Sequence, residues 1–262
     1  MIAMLAPDLL DRRALALLRL VDVAGRPVLG PVRIEGDGVR TVAKGDGRFA
    51  LLEAREFEDY AASFDPIAAA PTRTIRLDLT PAARDVAPRS FGLRLPRSPD
   101  PGSASSLFEP QAVEMLPSAL ATRSGSACTV RVSVRRGGDG RVVEGALVRS
   151  RSADGAFTAR AVTDARGEGC LLFPFLPMAF PGSTISAGQP ARIVVDVDPD
   201  VARFHAPSET GAAAEAASLR TSGHLDPDAL AAAAPAPNFT AGAEATLSAG
   251  RESAVSLEWN PS

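Results

Sequence analysis

Gly25-Arg26-Pro27-Val28-Leu29-Gly30-Pro31-Val32 returns later in the chain as Gly140-Arg141-Val142-Val143-Glu144-Gly145-Ala146-Leu147. An alternating apolar run leads into each copy, Leu18-Arg19-Leu20-Val21 before the first and Val130-Arg131-Val132-Ser133-Val134 before the second. A further shared element follows each, Ala43-Lys44-Gly45-Asp46-Gly47 and Ala165-Arg166-Gly167-Glu168-Gly169. Period-two alternation marks a half-buried strand, and glycine beside a polar residue marks a tight turn. Self-similarity of this kind constrains architecture more tightly than any single motif. Two copies of one small β-module are expected.

The composition agrees. The 262 residues accommodate one large domain or two small ones. Hydrophobic residues make up 45% but aromatics only 5%, so the cores should be aliphatic. Twenty-two prolines and 22 glycines suit a turn-rich β protein. A net charge of −3 provides no bulk positive field for nucleic acid or an anionic membrane. No apolar run approaches a membrane span. In the opening residues Asp8 and Asp11 interrupt the apolar run and Arg12 and Arg13 follow it, the reverse of a secretion signal. The expected location is the cytoplasm, until some larger assembly carries the chain out. Cys128 and Cys170 then read as free core thiols, with a disulfide as the alternative.

The pattern divides the chain into four parts. Residues 1–17 read as a short N-terminal helix or arm, with apolar Leu9, Leu10, Leu15 and Leu17. Residues 18–90 form the first β-sandwich module. Its strands include Leu18–Val23, Phe49–Leu52 and the alternating run Thr74–Leu79, and Phe57–Ala70 is an inserted helical turn or loop. Residues 91–121 read as a Pro- and Ser-rich connector, since prolines cannot donate to a ladder. Residues 122–262 form the second module, with a polar insertion at about 198–240 bracketed by Asp198-Pro199-Asp200 and Asp226-Pro227-Asp228. Its last strand places Val255, Leu257 and Trp259 on one side. Many short strands with Gly and Pro turns point to antiparallel β-sandwiches.

The strand, the Gly-Arg-x-Val-x-Gly turn and the later Gly turn together resemble the carboxypeptidase regulatory-like domain, a small transthyretin-like β-sandwich. The matching residues run from Asp22 to Gly30 with Gly45–Phe49, and from Asp139 to Gly145 with Thr163–Glu168. The resemblance implies a fold and no chemistry, because its glycines make turns. Cytosolic bacterial chains with this module also resemble accessory components of contractile, phage-tail-like injection systems. The connector residues Leu95–Asp100 and Leu107–Pro110 carry that second resemblance.

Candidate chemistry is sparse. The two histidines, His205 and His224, match no metal spacing even with Glu209 or Asp226 beside them. No Gly-x-Ser-x-Gly elbow is present. The Asp-rich turns lack the glycine and terminal glutamate of a calcium loop, and the glycine-rich turns lead into strands and not into a phosphate-binding helix. No catalytic residue, cofactor or metal is expected. The connector carries more apolar residues than a solvated linker needs, so Leu107, Phe108, Met115 and Leu116 read as partner-binding, together with Trp259. The expected function is a non-enzymatic structural or adaptor protein, contacting other subunits of an assembly such as a tail tube, sheath, cap or baseplate, or further copies of itself. The alternative is a carbohydrate- or peptide-binding module that uses loops at one end of a sandwich.

Overall fold

The computed structural model describes residues 13–62, 72–98, 100–122, 127–176, 188–206, 224–233 and 243–260. The fold is mainly β. In the first half, the run before the repeat is strand β1 (Ala16–Val21), with Leu18 and Leu20 fully buried and Arg19 exposed. It pairs antiparallel with β4 (Arg48–Glu53), which carries β3 (Arg40–Gly45) on its far side. On its other side β1 pairs in parallel with β7 (Gln111–Glu114). The facing sheet has the order β2 (Val32–Glu35), β5 (Arg73–Pro81), β6 (Arg89–Leu95). Leu18, Leu20, Leu51, Leu77, Leu79 and Leu93 fill the space between them.

The second half repeats this plan. Strand β8 (Cys128–Arg136) stands where β1 stands, between antiparallel β12 (Glu168–Phe173) and parallel β16 (Glu252–Trp259), and its sheet continues through the short strands β9 (Val142–Glu144) and β14 (Arg203–His205). The facing sheet has the order β11 (Thr158–Val162), β10 (Leu147–Ser152), β13 (Gln189–Asp196), β15 (Ala243–Leu247). The series β10-β13-β15 matches β2-β5-β6 in order and direction. A valine-rich core of Val130, Val132, Val134, Leu171 and Ile193 lies between the sheets.

The repeated turns explain why the sequence repeats. Gly25 and Gly140 close the first turn at φ +76° and +69°, a backbone region that a Cβ disfavours. Gly47 and Gly167 sit at φ +68° and +70°, and each offers its carbonyl to the strand that opens the module: Leu20 N donates to Gly47 O and Val134 N to Gly167 O, both at 2.8 Å. A Cβ on either glycine would lie 2.7 Å from a backbone oxygen, that of Leu20 or Val134. The conserved geometry thus needs glycine twice over, for its φ and for its missing side chain.

One shared strand changes its partner. β3 pairs with β4, whereas β11 pairs with β10 in the other sheet. Loop length accounts for the difference. Asp46-Gly47 is a two-residue link with both φ positive, the arrangement that folds a strand straight back on its neighbour. Residues 163–167 form a longer link, held by Asp164, whose side chain accepts from Arg166 N at 2.9 Å and Glu168 N at 3.0 Å. That length lets β11 cross to the facing sheet.

The connector reading needs correction. Strand β6 and the edge strand β7 fall in or across the segment 91–121 read as a connector, and bury Leu93, Leu95 and Val113 in the first core. The segment between them is bounded by Pro96 and Pro110 and held by the Ser98–Ser106 bridge. The N-terminal helix or arm at 1–17 lies outside the described residues up to residue 12, and from Ala16 the chain is already strand. The helical turn within 57–70 is α1 (Glu58–Ala62), while 63–71 lie outside the described residues.

Candidate functional site: the junction of the two sandwiches

The junction is built around a buried arginine. Arg89 opens β6 on the core side, and its side chain is only 1% exposed. Its guanidinium donates to Glu114 O at 2.6 Å, at the end of β7, and to Asp228 Oδ2 at 2.5 Å. Asp228 lies in helix α2 (Pro227–Ala233), within the polar insertion. Its other oxygen accepts from Arg160 of β11 at 2.7 Å, and Arg160 also donates to Glu114 Oε2 at 2.8 Å. Two arginines and two acids, from both sandwiches and the insertion, therefore close a ring. Burial alone would raise the Asp228 pKa, but the Arg89 and Arg160 hydrogen bonds and charges outweigh it and hold the carboxyl below its ordinary value. A buried arginine without such partners would be strongly destabilising.

The insertion acts as a clasp on the first sandwich. Ser90 N donates to Leu225 O at 2.8 Å, and Ser90 Oγ to His224 O at 2.6 Å. Arg76 Nη2 donates to His224 O at 2.5 Å, and Gly92 N to Asp226 Oδ2 at 3.1 Å. Asp226 Oδ1 accepts from Asp228 N and Ala229 N at 3.0 Å, which caps α2. Asp198 makes the same bond to Asp200 N at 3.0 Å, so the two Asp-Pro-Asp stretches form alike turns. Behind the clasp, Leu225 packs with Leu116, Leu147 and Val162 in a small apolar cluster joining the two halves.

The link between the sandwiches is strapped along its course. Ala87 N donates to Leu116 O at 2.9 Å and Ser118 N to Asp85 O at 2.9 Å. Arg131 of β8 donates to the carbonyls of Ala119 and Ala121. Beside this strap a cavity of about 500 Å³ opens between the halves. Its walls mix small apolar residues such as Pro81, Ala83 and Ala165 with Arg84, Glu144, Arg203 and His224. Glu144 is held by Arg203 at 3.3 Å and by His205 at 2.6 Å. His224 Nε2 faces Thr80 Oγ1 at 3.3 Å. Burial is the largest influence on this imidazole and lowers its pKa, favouring the neutral ring.

The residues singled out in the sequence separate into two groups. Met115 is 1% exposed in the first core, and Leu116 is 1% exposed in the junction cluster, so both are spent inside the chain. This corrects their reading as partner contacts. Trp259 packs at the rim of the second core and stacks on Phe204, with ring centroids 5.7 Å apart. Leu107 is half-buried, and Phe108 remains 64% exposed. The histidines face different partners, and Glu209 lies outside the described residues. Cys128 and Cys170 do not form a disulfide with one another. The ladder explains why: Cys128 stands opposite Phe173 on the core face, while Cys170 stands opposite Arg131 on the other face of the same sheet. Burial raises the Cys170 thiol pKa.

No family model and no curated protein matches the chain. Among solved structures it is similar to the Bacillus anthracis TIE protein, at 10% identity and TM-score 0.23, over 94% of this chain and 34% of that one. It is also similar to the D295N mutant of shaft pilin spaA from Lactobacillus rhamnosus GG, at 14% identity and TM-score 0.20, over 72% of this chain and 91% of that one. The chain spans about a third of the TIE protein's length. Likenesses this distant bear on neither family nor function. No helix among the described residues is long and apolar enough to cross a membrane.

Proposed function

We propose that this chain is a non-enzymatic structural or adaptor component of a larger protein assembly, with two sandwich units, about 13–117 and 127–260, working as one block. The observation that carries this reading is the ring of Arg89, Asp228, Arg160 and Glu114. A buried arginine shared by both halves fixes their relative position, and a fixed spacing is what a bridging subunit supplies. Phe108, 64% exposed beside β7, is one of the exposed apolar side chains open to a partner, with Leu29 and Phe175. The finer reading is a cap, baseplate or decorating subunit of a contractile, phage-tail-like particle, retained in the cytoplasm until release. It is supported by the sequence resemblance of the Leu95–Pro110 region.

The test is affinity purification of the tagged chain from its native host, with mass spectrometry of what accompanies it. A fixed set of subunits in constant ratio is expected, and Phe108→Ser should reduce their recovery at least tenfold while the melting curve is unchanged. A chain recovered alone under every condition overturns the reading. Sheath, tube or baseplate proteins in the set would support the particle. The junction cavity favours a second reading, a carbohydrate- or peptide-binding module; saturable binding of an oligosaccharide or peptide, lost on filling the cavity with Ala83→Trp, would support it.

A further inference from the structure

We infer that the junction cavity captures the C-terminal end of a partner protein: a free α-carboxylate on a residue with an aliphatic side chain. This rests on the second reading above, the peptide-binding one, and names what the site takes. The charges on the described walls are matched except one. Glu144 is held by Arg203 and His205, and Asp164 by Arg166 at 3.0 Å. His224 favours its neutral ring. The exposed Arg84 guanidinium lines the same cavity and makes no ion pair or hydrogen bond among the described residues. Three arginines against two acids leave these walls with positive charge in excess, and an anion completes them. Arginine's planar fork takes a carboxylate through two parallel N–H bonds.

An aliphatic contact stands next to that charge. Leu120 also lines the cavity and is 47% exposed. Ser118 fixes the pair: its hydroxyl donates to Arg84 O and accepts from Leu120 N at 3.0 Å, while Ser118 N donates to Asp85 O at 2.9 Å. A guanidinium and an isobutyl group set around one serine suit a ligand whose carboxylate and aliphatic side chain leave the same carbon, the arrangement at a chain's C-terminus. The remaining walls fit a peptide better than its rivals. Pro81, Ala83 and Ala165 are small and apolar, while Glu144, Arg203 and His224 are polar. A hydrocarbon chain would set those polar groups against apolar surface, which is costly without hydrogen bonds. A sugar ring would find no Trp, Tyr or Phe to stack on among the described wall residues. A peptide brings amides for one set and side chains for the other. The volume, about 500 Å³, lies within the ~300–1,000 Å³ of small-ligand pockets, so only the last few residues of a chain fit.

The probe is an acetylated pentapeptide of alanines ending in leucine, made as the free acid and as the amide, and titrated calorimetrically into the full chain up to millimolar concentration. The acid is expected to bind saturably and roughly tenfold tighter than the amide, or more. Arg84→Ala should bring the acid down to the amide's level with an unchanged melting curve, since that side chain is exposed, and Arg84→Lys should restore part of the difference. Acid and amide binding alike, an unaltered affinity in Arg84→Ala, or acetyl-leucine binding as tightly as the pentapeptide overturns the inference. A chain that ignores the peptide overturns it too. An oligosaccharide that then binds, and is lost on Ala83→Trp, keeps the cavity as a binding module; silence from both ends the second reading as well.

Discussion

Gly47 and Gly25 both stand at positive φ, but only Gly47 is crowded. A Cβ on Gly25 meets nothing within 4 Å, whereas one on Gly47 meets Leu20 O at 2.7 Å and Val28 O at 3.1 Å. Gly25→Ala should therefore cost about 1 kcal/mol, the conformational penalty alone. Gly47→Ala should cost roughly 2–4 kcal/mol, because backbone must also move. Thermal melts of the two variants side by side check this, and equal losses would remove the crowding argument. His224 gives a pH dependence. Its folded-state pKa lies below the ordinary ~6.5, so the unfolded chain binds the proton more tightly. Its contribution to stability is present above about pH 6.5 and is lost as pH falls through the lower folded value. The fall in Tm between pH 7.5 and 5.5 should be smaller in His224→Asn than in the wild type; an identical fall would mean the imidazole is not the cause. The turn glycines could be read in the sequence because turns are local. Arg89 could not, since its burial depends on Glu114 and Asp228, which the chain brings in from far away.

Most of the ladder was legible as alternation. The runs at Thr74–Leu79, Val130–Val134 and Ser253–Trp259 lie within β5, β8 and β16. The same signal was present in Phe91, Leu93 and Leu95, whose side chains are drawn into or against the first core. It is masked by Pro88 and Pro96, which flank β6 and suggest an extended linker, although proline at a strand's boundary costs no ladder bond. β7 has only four residues and little pattern of its own; its pairing with β1 comes from the fold. At the other end of the chain, β16 is an edge strand whose inner side chains close the second core. Leu257 is 7% exposed, so Leu257→Ala should cost about 2–4 kcal/mol. Trp259→Ala loses the stacking on Phe204 and part of the rim, about 1–2 kcal/mol. If Trp259 were mainly a partner contact, its removal would leave the melting temperature alone and reduce co-purification, the opposite of what the stacking implies.

Across the whole molecule, the clasp makes two sandwiches behave as one unit. Each has its own core and could unfold separately, but unfolding either one strands the other's share of the ring. Losing the first sandwich leaves Asp228 and Arg160 without Arg89 and Glu114; losing the second leaves Arg89 buried with no carboxylate. Breaking such a pair costs about 3 kcal/mol, at the low end of the range because Asp228 is partly exposed. The wild-type chain should therefore show a single calorimetric transition at pH 7, and Asp228→Ala should split it in two, with the first component several degrees lower. Acid should act in the same way. The Asp228 carboxyl titrates below its ordinary ~3.9, so the latch keeps full strength above that value and is lost as pH falls through the lower folded-state value. The transition should stay single from pH 7 to 5 and separate only near pH 3. Scanning calorimetry across that range decides the matter: two transitions already present at pH 7 in the wild type would mean that the ring does not couple the halves, and the block-like spacing on which an adaptor role depends would go with it.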